Sequence, residues 1–270
     1  MIYAMSDIHG CLEDLKKKME MVSLGEGDRL ILLGDYIDYG PCSGQVLRYV
    51  YDLQQKCGAE KVVVLKGNHE AMFLEWLGEY NRKLTPGMEQ LCYDSWLKTD
   101  SEHRFNTFRT LVSEEQLAKI EKMAMTSSFA AWNVEAAGMV MEEHADLIKW
   151  IRCMPSFYKT ETQIFVHAGV DEEAEEYWEW GTGEDVFLWK HPASFGRFYM
   201  TIVAGHVGAR SLARDRAFDG IYYDGASHYY IDGSVYAHGD LLLLGYDEKE
   251  DRYYRIENGK RIPITKFERD

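Results

Sequence analysis

Five short apolar runs punctuate the chain, and each ends in a residue able to bind a divalent metal. Ile2–Tyr3–Ala4–Met5 leads to Asp7 and His9, and Leu30–Ile31–Leu32–Leu33 leads to Asp35. Val62–Val63–Val64–Leu65 leads to Asn68 and His69. Ile164–Phe165–Val166 leads to His167, and Ile202–Val203–Ala204 to His206. Short apolar, largely β-branched runs between polar or glycine residues read as buried strands. Between the first three runs the period becomes helical: Leu12, Leu15, Met19 and Val22, then Val46, Leu47, Val50 and Leu53 with Gly58 as a C-cap. Residues 1–70 therefore predict strand–helix–strand–helix–strand, with parallel strands and crossover helices. In open α/β sheets ligands sit beyond the carboxyl ends of the strands. The pattern thus brings Asp, His, Asp, Asn, His and His to one sheet edge, which is a ligand set and not a packing set.

From His69 to about Phe157 strand runs give way to helical ones, around 70–80, 111–125 and 144–153. This predicts a helical insertion over one end of the sheet, at about 80–155 within a single domain spanning 1–270. Trp76, Trp96, Trp132 and Trp150 fall there and are expected to form its aromatic core. Strands return over 163–246, including Ala217–Tyr223, Tyr229–Ser234 and Asp240–Tyr246. Their close spacing predicts antiparallel pairing. Asn258–Gly259, between Tyr253–Ile256 and Arg261–Ile264, is a hairpin signal.

Composition narrows the partners. The 270 residues can bury a large core. A net charge of −15 opposes polyanions and anionic membranes, so no nucleic-acid polymer and no membrane is expected as partner. No apolar stretch approaches the ~18 residues of a membrane span. Asp7 lies so near the first residue that the N-terminal segment is expected to belong to the fold. Five scattered cysteines (Cys11, Cys42, Cys57, Cys92 and Cys153) form no CxxC and read as free thiols, which suggests the cytoplasm. Cys11, close to His9, is expected to be a small buried residue. Residues 171–185 hold eight acidic side chains and no basic one. They read as a solvated loop, or as one that shapes the site entrance and repels highly anionic substrates.

The polar residues after the runs form motifs: Ser6–Asp7–Ile8–His9–Gly10, Gly34–Asp35–Tyr36–Ile37–Asp38–Tyr39–Gly40, Gly67–Asn68–His69–Glu70, His167–Ala168–Gly169 and Gly205–His206–Val207. Each alone is weak; together, in this order, they are specific. Carboxylate mixed with imidazole suits Mn, Fe or Zn better than Ca or Mg.

In these motifs the chain resembles the calcineurin-like metallophosphoesterases, closely over 1–70 and more loosely over 160–245. It looks most like their bacterial phosphoprotein-phosphatase branch, alongside the symmetrical diadenosine tetraphosphate hydrolases. The resemblance implies an α/β (α+β) fold, a β-sandwich flanked by helices, with two divalent metals at the sheet edge. Mn is the first expectation, with Fe, Zn or Ni as alternatives. Asp7, His9 and Asp35 would hold one metal, and Asp35, Asn68, His167 and His206 the other. Two such metals, ~3.5–4 Å apart, share a hydroxide that attacks phosphorus in line. His69, paired with Asp38, would protonate the leaving oxygen.

Three positions depart from the family. An Arg that grips phosphate is Tyr39 here, which offers one neutral donor and a ring that can pack on a base or an aromatic side chain. The Arg before Gly-Asn-His-Glu is Lys66, which keeps charge but loses the fork. A third Arg is His191, with Lys190 beside it as a point charge. Tyr39, Lys66, Lys190 and His191 are therefore the candidate substrate-binding residues. The implied activity is a phosphomonoesterase of serine/threonine protein phosphatase type acting on a phosphoprotein or small phosphoester. The alternatives are a nucleotide phosphodiesterase or dinucleoside polyphosphate hydrolase, or a catalytically degenerate metal-binding scaffold.

Overall fold

The computed structural model describes residues 1–80, 96–97, 102–237 and 239–268. Cys92 and part of the expected insertion lie outside these residues. The first strands fall where the apolar runs are: β1 (Ile2–Met5), β2 (Arg29–Leu32) and β3 (Val62–Val64), joined by α1 (Leu12–Met19) and α2 (Ser43–Cys57). All three are parallel, as the alternation predicts. After α3 (Asn68–Tyr80) come α4 (Glu102–Arg109), α5 (Glu114–Thr126), α6 (Phe129–Glu143) and α7 (Ala145–Arg152). The periodicity anticipated α3, α5 and α7. It did not reveal α4, whose apolar positions are few, or α6, which is apolar almost all round.

The second half holds β4 (Phe157–Lys159), β5 (Gln163–Val166), α8 (Trp178–Gly181), α9 (Glu184–Trp189), β6 (Thr201–Ala204), α10 (Ala209–Ala213), β7 (Tyr222–Tyr223) and β8 (His228–Tyr230). β9 (Leu244–Asp247), β10 (Arg252–Glu257) and β11 (Lys260–Pro263) follow. One sheet runs β11–β10–β9–β1–β2–β3 and the other β4–β5–β6–β8–β7. The expectation of antiparallel pairing over 163–246 fails at the centre of the second sheet, where β5, β6 and β8 are parallel. The crossovers there use short helices, α8 to α10, which leave little periodic signal. The terminal hairpin matches its signal. Asn258 and Gly259 take φ of 49° and 71°, the left-handed pair a two-residue turn requires.

Alternation along the strands sorts side chains into layers. Ile2, Ala4, Ile31, Leu33 and Val63 face Phe165, Val203, Tyr229 and Ile231 of the other sheet, forming the sandwich interior. Tyr3, Met5, Leu30, Leu32, Val62 and Val64 point the other way, into the helical layer with Val46, Phe73, Trp76, Trp132 and Ile151. Ile164, Val166 and Ile202 pack on Trp178, Phe187 and Leu188. Burial on both faces explains why these strands read as continuous apolar runs. The helices of the expected insertion thicken the layer already begun by α2 and α3, with α6 and α7 packed on α3 and α7 also on α2.

Candidate active site

The strand ends converge as the pattern implies. Left-handed backbone marks the convergence: Asp7, His9, Asp35, Asp38, Tyr39 and His206 have φ between 44° and 70°. Such residues cost about 1 kcal/mol or more each, and they concentrate where a site over-determines the backbone. Close approach completes the turn. A Cβ on Gly67 would lie 2.2 Å from Asp35 Oδ1, and one on Gly205 would lie 2.2 Å from Asp7 Oδ2. Glu70, fully buried, clamps the second turn by accepting hydrogen bonds from the backbone N–H groups of Asp35, Tyr36 and Gly67 at 2.8–3.0 Å.

Two overlapping groups of donors form around Asp35. His9, Asp35 and His69 make one; Asp35, His167 and His206 make the other. His9 Nε2 lies 3.6 Å from Asp35 Oδ2 and 4.0 Å from Asp7 Oδ1. His167 Nε2 lies 3.5 Å from Asp35 Oδ1 and 2.7 Å from Asn68 Oδ1, and His206 Nδ1 lies 3.1 Å from the same Asn68 oxygen. The Nδ1 atoms of His9 and His167 sit 2.8 Å and 2.9 Å from the carbonyls of Ile37 and Leu33, where an N–H must donate. That tautomer leaves each Nε2 as a lone pair facing oxygen acceptors.

Electrostatics tell the same story. Burial, then the charges of Asp232 and Asp35, push the Asp7 carboxyl well above the usual range. Burial also raises Asp35. His9 is held down to about 3 and His206 to about 4, by burial first and the charge of His69 second. The Nε2 lone pairs of His9 and His167, beside carboxylates short of countercharge, are what a divalent cation complements. The donor set of Asp7, His9, Asp35, Asn68, His167 and His206 therefore fits metal ions.

His69 is placed differently. Its Nδ1 is 2.7 Å from Asp38 Oδ2, which sets it apart from the other members of its donor group, while its Nε2 lies 3.8 Å from Asp35 Oδ2. Burial alone would lower its pKa, but the charges of Asp35 and Asp38 and the Asp38 hydrogen bond outweigh it and hold the ring near 9. Asp38 is itself fully buried and accepts further bonds from Trp96 Nε1 at 3.1 Å and Thr107 Oγ1 at 2.8 Å.

Asp7, His9, Asp35, Asn68, His69 and His206 line a cavity of about 290 Å³ together with Tyr39, Met72, Arg104, Trp189, Asp232 and Tyr236. Of the four expected substrate-binding residues, only Tyr39 reaches it. Its ring stacks between Tyr236 at 4.1 Å and His103 at 4.6 Å. Lys66 is instead paired with Glu184 at 3.2 Å. Lys190 bonds the Val170 carbonyl and Glu172, and with His191 it lines a neighbouring cleft of about 640 Å³. The acidic segment supplies that cleft with Asp171, Glu172, Glu173 and Asp185, and Trp189 borders both spaces. Sequence reasoning missed Arg104, Asp232 and Tyr236. Asp232 had a signal, since it is a carboxylate near the end of the expected strand Tyr229–Ser234. Arg104 had none, because nothing in the chain ties α4 to the strand ends. Cys11 is half-buried, not buried as expected, and its thiol is pushed up to about 11, by burial first and then Asp14, which suits an inert thiol.

A family model for calcineurin-like phosphoesterases matches residues 1–244. A symmetrical bis(5'-nucleosyl)-tetraphosphatase of Pseudomonas syringae pv. syringae is 42% identical over 74 residues, 27% of this chain and 24% of that protein. One from Serratia proteamaculans is 29% identical over 150 residues, 52% of this chain and 48% of that protein. The chain thus spans only about a quarter to a half of the length of these relatives. A cold-active protein-tyrosine phosphatase of a psychrophilic Shewanella shares the fold, with TM-score 0.55 at 17% identity over 98% of this chain and 80% of that one.

Proposed function

The chain belongs to the calcineurin-like phosphoesterase family, and from that premise we propose that it is a two-metal phosphomonoesterase of serine/threonine protein phosphatase type. The observation that carries the reading is the pairing of His69 with Asp38 at 2.7 Å, beside two donor groups that share Asp35. A binding scaffold has use for the donors but none for a buried, charge-supported proton donor aimed at them. Asp7, His9 and Asp35 would hold one divalent ion, and Asp35, Asn68, His167 and His206 the other, with manganese the first choice. Bound there, the ions would supply Lewis acidity toward phosphoryl oxygens and lower the pKa of water.

The chain's own residues do the rest. Asp38 fixes the tautomer and orientation of His69 and stabilises its charged form. His69 then gives its Nε2 proton to the departing oxygen, a contribution typically worth ~10²–10⁴-fold. Trp96 and Thr107 hold the Asp38 carboxylate in place. Glu70 holds the backbone that presents Asp35.

A cavity of about 290 Å³ suits one phosphoryl group, and the acidic cleft beside it suits a neutral or cationic remainder, as in a phosphopeptide. A second reading, hydrolysis of dinucleoside polyphosphates, is favoured by what the Pseudomonas and Serratia relatives are called. The acidic walls oppose it, because a tetraphosphate is a polyanion. A panel of phosphoserine and phosphothreonine peptides, mononucleotides and diadenosine tetraphosphate, run with Mn²⁺, tests the choice. The proposal expects highest kcat/KM on phosphopeptides with basic flanks. Preference for diadenosine tetraphosphate would replace it with the second reading, and no turnover of any member would leave the scaffold.

A further inference from the structure

A phosphoryl group keeps negative charge on its equatorial oxygens throughout transfer and needs positive donors around it. Apart from the proposed metal ions, the side chains that line the cavity are poor in them. Asp7, Asp35 and Asp232 are carboxylates, and His9 and His206 belong to the metal-donor groups. The proton on His69 is committed to the leaving oxygen. Lys66 and Lys190 are bound elsewhere to Glu184 and Glu172. Among the described residues, Arg104 is the only Lys or Arg that lines this space.

We infer that Arg104 binds the phosphoryl group of substrate and product, supplying from α4 the guanidinium that Tyr39 does not. This rests on the phosphoester reading above. The placement is built. Arg104 and Thr107 lie one helical turn apart and so share a face. Thr107 ties that face to the site by donating to Asp38 Oδ1 at 2.8 Å and accepting from Asp38 N at 2.9 Å. His103, the preceding residue, stacks on Tyr39 at 4.6 Å. The aromatic ring at position 39 therefore docks the helix that returns an arginine to the cavity.

Among the described residues no carboxylate takes up the Arg104 guanidinium at hydrogen-bonding distance. Its Nε is buried with no hydrogen-bond partner among the described residues. That nitrogen is 4.0 Å from Asp38 Oδ2, well beyond the ~2.7–2.9 Å of a charge-assisted bond. Asp38 already accepts from His69, Trp96 and Thr107, so it does not need the guanidinium. Among the described residues Nη2 meets the sulfur of Met72, at 3.5 Å. A planar fork with open donors and fixed charge is what a phosphate recognises.

The test is calorimetric binding of inorganic phosphate to Mn²⁺-loaded wild type, Arg104→Met and Arg104→Lys, with metal content and kcat/KM for 4-nitrophenyl phosphate on the same samples. Arg104→Met should weaken phosphate binding on the order of 10- to 100-fold with metal content unchanged, and Arg104→Lys should recover part of it. Should Arg104→Met fail to fold, Arg104→Lys still decides, because loss of the fork alone should weaken binding measurably. If Arg104 served only as a counterion of Asp38, phosphate affinity would hold while the alkaline limb of the rate profile moved, and the inference would fall. Wild-type turnover with phosphate affinity indifferent to Arg104 would overturn the inference alone. Phosphate binding that depends on Arg104 without any turnover would overturn the proposed activity alone. No phosphate binding by wild type would overturn both.

Discussion

Asp38→Asn isolates the charge behind the proposed proton donor while keeping its shape. The carboxylate accepts from His69 and Trp96 at Oδ2 and from Thr107 at Oδ1. An amide oxygen at the Oδ2 position can still accept the first two bonds, and the Thr107 hydroxyl can rotate to accept from the new NH₂. What disappears is one unit of charge at roughly 5 Å from the imidazolium centre. At an effective dielectric of about 20 this is worth roughly 3 kcal/mol, or about two pH units of proton affinity. His69 is held near 9 by Asp35 and Asp38 together. A cation bound beside Asp35 would neutralise that carboxylate's share and leave Asp38 as the main force keeping the proton on. A group with raised pKa is in its active acid form at low pH and loses it as pH rises. The alkaline limb of kcat/KM should therefore move down by about two pH units. The move should be large for an alkyl phosphate, whose leaving oxygen needs the proton, and small for 4-nitrophenyl phosphate, whose does not. Metal content should stay at the wild-type level, since Asp38 belongs to neither donor group. A limb that stays put, or equal losses on both substrates, would refute the proton-donor role.

Tyr39→Arg should not improve turnover, because the ring is already committed to stacks with Tyr236 and His103. Losing two aromatic pairs at ~0.5–1.5 kcal/mol each should lower Tm by roughly 2–8 °C; a rise in kcat/KM at unchanged Tm would show that the position is a free phosphate site. Away from the site, His228 bonds Asp224 at 2.9 Å and lies 3.2 Å from Glu172. Against the opposing effect of burial, these partners raise the ring to about 9 and hold the two carboxylates near 2. The raised histidine stabilises fully below its ordinary 6.5, and that contribution is lost as pH climbs through 9. The depressed carboxylates stabilise above their ordinary values and lose this as pH falls toward 2. His228→Gln should thus cost about 2 kcal/mol near pH 6, after discounting for partial exposure of Glu172. Melting curves should show the gap from wild type shrinking by pH 10; a gap independent of pH would contradict the triad's charge.

The proposed metal-donor half of the site is legible in the sequence because each donor follows a strand that is buried on both faces. Val62–Leu65 announces itself as an uninterrupted apolar run, and Asn68 and His69 come just after it. The same logic gives His167 and His206 from far along the chain, since strand ends of one sandwich must meet at its edge. Lys66 and Lys190 show where that logic stops. A cation's neighbours decide whether it is free, and Glu184 and Glu172 are not adjacent to their partners in sequence. Arg104 was invisible for the complementary reason. It sits on a short helix with weak periodicity, docked by Thr107 and His103 through contacts spanning more than sixty residues. The parallel core of the second sheet was misread because α8 to α10 are too short to register as crossovers.

In the proposed mechanism Asp35 joins two metal sites that support phosphoester hydrolysis. The most direct test is metal stoichiometry, measured by elemental analysis on the same samples as phosphate release, for wild type, chelated, Mn²⁺-restored and Asp35→Asn protein. The account predicts about two metals per wild-type chain, activity lost on chelation and regained with Mn²⁺, and both metals lost together in Asp35→Asn. Undiminished phosphate release from a metal-free chain, or an Asp35→Asn protein that keeps both metals and full activity, would contradict it.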